Sequence, residues 1–147
     1  MKSWVDTVAN KNNTWLVLVF HGIDGLGYEA LPHTLLDEYF QYIKSKDSQL
    51  WIATFGDVTK YMREREATKI KSANNNGKIT VTLNNMLDNK MYDLPLTLKT
   101  YVPSKWKKVK VSQGKHSKQV STLKDAKGNY VLYQASTNIT PIALTSM

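Results

Sequence analysis

A chain of 147 residues with 41% hydrophobic and 10% aromatic side chains can fill one ordinary domain or two small ones with packed cores. It has no apolar run approaching the roughly 20 residues that cross a bilayer, and no signal peptide is visible, so the chain reads as cytoplasmic or already processed and its localisation is left open. Cysteine is absent, which excludes disulfides, thiolate catalysis and thiolate metal sites.

The net charge of +8 is unevenly divided. Residues 1–66 carry seven Lys and Arg against nine Asp and Glu, whereas residues 67–147 carry thirteen Lys, no Arg and three Asp. The shift predicts two domains, 1–68 and 72–147. Lysine without arginine offers no bidentate fork to phosphates or base edges, and no recognition helix or RNP-like aromatic motif is present, so nucleic acid is disfavoured as a partner. The expectation is a solvated basic surface able to attract an acidic polymer.

In chain order, Ser3 is a candidate N-cap for a short helix to about Asn10, with Trp4 and Val8 on one face. Residues 15–20, Trp-Leu-Val-Leu-Val-Phe, form an apolar run that reads as a strand buried on both faces and ends at His21, Gly22 and Asp24. Residues 33–46 predict an amphipathic helix with Leu35, Leu36, Tyr39, Phe40 and Ile43 facing inward, Thr34 as N-cap and Asp37 completing a capping box. A second apolar strand is predicted over residues 50–55, then a helix with Val58, Tyr61 and Met62 inward and a solvated charged end, Arg63-Glu64-Arg65-Glu66. Strand, helix and strand in this order predict a right-handed parallel βαβ unit. Its open strand edges need cover, either from the β domain or from a second chain, most simply in a homodimer.

Beyond Lys71 the period changes to two. Residues 72–77 read as a linker or turn, and strands are predicted over 78–84, 94–101, 107–112 and 130–134, with Asn138, Pro141 and Ile142 supplying a last strand or edge. Short strands separated by turns such as 125–129 read as an antiparallel β-sandwich.

Candidate functional residues follow from this layout. His21, at the end of the first strand, is placed where α/β sheets locate their chemistry, although a capping imidazole bonded to a loop carbonyl is an equal reading. Asp24 could orient that imidazole, accept from loop amides, or simply form the turn before Gly25. Tyr92, Tyr101, Trp106, Tyr130 and Tyr133 concentrate in the basic domain. Core packing accounts for most such rings, but Trp106, flanked by Lys105, Lys107 and Lys108, is expected at the surface as a substrate-binding ring that stacks on sugar. No Gly-x-Ser-x-Gly elbow exists, which argues against a serine esterase.

Residues 15–66 resemble the end of the catalytic domain of polysaccharide deacetylases, the family 4 carbohydrate esterases. Val19-Phe20-His21 stands where that family carries Leu-x-His on a late strand, with Val for Leu, and residues 50–58 with the helix at 61–65 resemble its last strand and helix. The resemblance implies an α+β chain: a partial parallel βαβ unit of a deacetylase-like (β/α) barrel, followed by the C-terminal antiparallel β-sandwich. It implies a hydrolase removing acetyl groups from a polysaccharide such as acetylated xylan, with His21 as catalytic acid and a divalent metal polarising the acetyl carbonyl. The paired-aspartate and His-x-x-x-His motifs that would supply the base and the metal ligands cannot be placed; His33 heads a helix and His116 lies in a lysine-rich turn, so no cofactor is assigned. The alternative is a noncatalytic carbohydrate-binding β-sandwich or an inactive fragment.

Overall fold

In the computed structural model, which describes residues 1–147, three helices precede eight strands: α1 (Lys2–Ala9), α2 (His33–Lys44), α3 (Phe55–Ala67), β1 (Lys69–Asn75), β2 (Lys78–Asn84), β3 (Leu96–Tyr101), β4 (Lys108–Gln113), β5 (His116–Ser121), β6 (Leu123–Asp125), β7 (Gly128–Ala135) and β8 (Ile142–Ser146). The chain divides into two units, Met1–Phe55 and Gly56–Met147.

In the first unit α1 and α2 pack through Val5, Leu36 and Tyr39, its buried apolar residues. Polar contacts tie the two helices at their rims: Lys2 pairs with Glu38, Lys46 with Asp6 at 3.2 Å, and the Tyr42 hydroxyl donates to the Asp6 carboxylate. Leu35 and Phe40, expected inside, are exposed.

Residues 15–20 and 50–54 carry no strand. Trp15, Val17 and Val19 are exposed, while Leu16, Leu18 and Phe20 are half-buried, so the first run is an extended segment covered on one side only. This corrects the parallel βαβ unit and the partial (β/α) barrel. The physical reason lies in strand number: two strands alone make a marginal sheet, and a parallel pair is weaker per residue than an antiparallel one. Ring packing holds these segments instead, with Trp15 stacked on Phe55 at 5.0 Å and Phe20 meeting Phe40 edge-on at 5.7 Å.

In the second unit, strict alternation makes antiparallel sheets. β2 buries Ile79, Val81 and Leu83, β4 buries Val109 and Val111, β7 buries Val131, Tyr133 and Ala135, and β8 buries Ile142 and Leu144. A five-stranded sheet, ordered β1-β2-β8-β4-β5, and a three-stranded sheet, ordered β3-β7-β6, share these residues in one core. The antiparallel β architecture expected of this half is present in that form.

Two departures are local. Of the linker or turn expected over residues 72–77, only Asn76 and Gly77 turn the chain, with φ of +48° and +77°, while the rest extends β1, which pairs with β2 from Lys69↔Asn84 to Asn75↔Lys78. Two successive positive φ values are what a type I′ hairpin requires, and Asn-Gly supplies them with least strain. His116 likewise begins β5 rather than lying in a turn.

Candidate functional site

His21 and Asp24 lie on a loop folded back on itself. Ile23 and Leu26 exchange backbone hydrogen bonds of 3.2 and 3.0 Å, and the Leu31 amide donates to the Gly22 carbonyl at 3.0 Å. The chain passes so close that a Cβ on Gly22 would lie 2.1 Å from the Leu26 carbonyl oxygen, which only glycine avoids.

On this loop His21 is exposed, its ring edge-on to Tyr28 at 5.7 Å. Asp24, at a positive φ of +52°, turns instead toward α2. Its carboxylate accepts the His33 backbone N–H at 2.8 Å and lies 2.9 Å from His33 Nδ1. The Asp24 carboxyl is therefore held below the usual carboxylate range, first by the His33 amide and then by the His33 imidazole. The structure pairs Asp24 with His33 rather than with His21, and in doing so caps α2, whose own N-cap residue, Pro32, makes no side-chain hydrogen bond. The Thr34 capping box expected from sequence is not formed.

No group of three or more His, Cys, Asp or Glu side chains could hold a metal ion. The divalent metal implied by the deacetylase resemblance has no ligand set in this chain.

Trp106 does not take the exposed position expected of it. It is 2% exposed and packs in the core with Val102, Val109 and Val131, while Lys105, Lys107 and Lys108 point to solvent around it. The backbone explains the contrast: the Trp106 amide closes a tight turn onto the Pro103 carbonyl at 2.9 Å, which sends one side chain of a basic run inward.

Rings turned away from the core lie elsewhere, on the outer face of the three-stranded sheet, where Tyr101 is exposed and Tyr130 half-buried. The register sets Tyr101 opposite Tyr130, Lys99 opposite Leu132 and Thr97 opposite Gln134, all on the side away from the core. Tyr101 and Tyr130 meet at 6.0 Å, and the Lys99 ammonium lies 4.0 Å from the centre of the Tyr130 ring, a favourable cation–π distance. Asp125 fixes both neighbours, accepting from Lys99 and, at 2.9 Å, from the Tyr101 hydroxyl. Chiefly through Lys99, the Asp125 carboxyl is lowered to about 2.

Beside this face, β6 pairs with β7 only from Gly128 to Tyr130, leaving the rest of that β7 edge open. A cleft of about 550 Å³ follows, lined among others by Leu132, Gln134, His116 and Lys118. Gln113 also borders it, but its amide is committed to the Ser136 and Thr140 backbone. The sequence signal for these rings is the alternation of β3 and β7, which puts Tyr101 and Tyr130 on the polar-side positions of their strands.

Fold and surface thus define a β unit with an aromatic, cation-bearing face and a cleft at its side, joined in sequence to a small helical unit. Over 104 residues, 69% of its length, the chain is 32% identical to gellan lyase of a Bacillus species. That stretch is 4% of the gellan lyase, so the chain spans a small fraction of this relative. No family model matches the chain, and no solved structure matches it. The relative found is a lyase rather than a deacetylase, and with no family model matching, the deacetylase resemblance is corrected.

Candidate membrane spans are likewise lacking: no helix is long and apolar enough to cross a membrane.

Proposed function

We propose that the β unit is a noncatalytic carbohydrate-binding module that holds a polysaccharide against the outer face of its three-stranded sheet. The observation that carries this reading is the Tyr101–Tyr130 pair with Lys99 and Asp125 fixed around it. The exposed Tyr101 ring, crossed by Tyr130 at 65°, can stack on the C–H face of a pyranose sugar, while the Lys99 ammonium and the Asp125 carboxylate offer a donor and an acceptor to its hydroxyls. The neighbouring cleft, with Gln134 and Lys118 on its wall, can take a sugar unit that extends past the rings. Likeness to a gellan lyase segment supports a polysaccharide partner.

Titration calorimetry with gellan oligosaccharides tests it. Tyr101→Ala and Tyr130→Ala should each weaken binding about threefold to tenfold, the value of one aromatic contact, while His21→Ala should leave it unchanged. Equal affinity in the two tyrosine variants and the parent would refute the reading.

A further inference from the structure

We propose that the opposite face of the β unit, the outer surface of the five-stranded sheet, is a separate docking surface for a carboxylate-bearing polysaccharide. The proposal does not rest on the tyrosine face. Its basis is a charge pattern that the sheet register creates.

The five strands β1, β2, β8, β4 and β5 contain no Asp or Glu. Where Ile79, Val81, Val109, Val111, Ile142 and Leu144 turn into the core, the alternate residues turn out. Following the pairings across the sheet, one outward row reads Asn75, Lys78, Thr145, Lys110, Gln119, and the next reads Ala73, Thr80, Ala143, Ser112, Ser117. Lys69 and Lys71 on β1 and Lys108 on β4 lie on the same side. All five lysines are exposed, and none enters an ion pair, in contrast to Lys99, which is tied to Asp125 on the other sheet. Lys78 and Lys110 are two strands apart in one row, about 10 Å by the usual strand spacing.

Five unneutralised ammonium groups on one flat face repel each other and attract a polyanion. The rest of the face selects the kind of polyanion. Thr80, Thr145, Ser112, Ser117 and Gln119 offer hydroxyls and an amide, partners suited to sugar hydroxyls. No aromatic ring stands among these outward residues, so unpaired bases have nothing to stack on. A flat sheet face also presents no helix or ribbon to a major groove, and no arginine fork is available for phosphate. A chain of sugars bearing carboxylates fits each of these features.

The experiment uses the full chain with three probes: polygalacturonate, the neutral polymer dextran, and an oligothymidylate. Polygalacturonate should bind best, with affinity falling steeply as salt rises. Replacing Lys71, Lys78, Lys108 and Lys110 together by Ser should weaken polygalacturonate binding at least about tenfold and flatten its salt dependence, whereas Tyr101→Ala should not. The combination Lys78→Arg with Lys110→Arg keeps the charge and should keep binding. Circular dichroism melting of each variant checks the fold; should the Ser variant fail to fold, Lys110→Gln and the salt dependence of the parent decide in its place. The proposal is overturned if polygalacturonate binding is indifferent to salt or to these lysines, or if dextran or oligothymidylate binds as tightly through the same lysines.

Discussion

Glu64 is fully buried on α3, with Oε2 accepting the Leu94 backbone N–H at 3.1 Å and Oε1 without a partner. Burial raises the pKa of this carboxyl above its ordinary value, with Asp93 nearby acting in the same direction. A buried acid that prefers its proton makes the folded state hold more protons than the unfolded one, so stability declines as pH climbs from the unfolded pKa through the higher folded one. Glu64→Gln keeps an acceptor for Leu94 and removes the charge. It should raise the melting temperature at pH 7 and leave it nearly unchanged at pH 4; an equal gain at both would count against a charged carboxylate as the cause. In sequence, Glu64 sits within a charge-alternating helix end that reads as solvated, and only the approach of the Leu94 segment in space distinguishes it. Trp106 is the converse case, a large ring in a basic run whose burial depends on a turn geometry that the flanking lysines conceal.

Elements with a clear period were legible. The β2 bounds follow the alternation Lys-Ile-Thr-Val-Thr-Leu-Asn residue for residue, and α1 and α2 fall within a residue or two of their predicted spans, because local periodicity alone determines such segments. The apolar runs at 15–20 and 50–54 were not legible in the same way. Continuous apolar sequence is compatible with a buried strand, but pairing depends on neighbours that the sequence does not reveal. The cap of α2 also escapes local reading, since its acceptor, Asp24, lies nine residues before the His33 amide it accepts. Asp24→Ala should therefore reduce helix content by far-ultraviolet circular dichroism, and Asp24→Asn, which retains an oxygen acceptor, should reduce it less. Spectra of both variants identical to that of the parent would show that the carboxylate contributes nothing to the helix end.

The two units differ in how much apolar surface they cover. The first buries Val5, Leu36 and Tyr39 while Trp15, Val17, Val19, Leu26, Tyr28, Trp51 and Ile52 remain exposed; the second encloses a continuous core from Ile79 to Leu144. Exposed apolar extended chain invites association between copies. Light scattering should show mass rising with concentration, and Val19→Lys with Leu26→Lys should suppress the rise; a monomer at every concentration would refute this. Backbone amides at 15–20, which lie outside any strand or helix, should exchange with solvent far sooner than those of β2, β4, β7 and β8.

The hairpin joining β1 to β2 turns on Asn76-Gly77, both exposed and both at positive φ. An asparagine followed by the least hindered residue is the chemical setting in which the side-chain amide carbon is attacked by the next backbone nitrogen, releasing ammonia and closing a succinimide ring that water then opens at either carbonyl to an aspartyl or isoaspartyl linkage. Ageing of this protein would then place a first negative charge two residues from Lys78, at the rim of a sheet whose strands are otherwise free of acids, and the isoaspartyl form would lengthen the backbone within the turn that holds β1 in register.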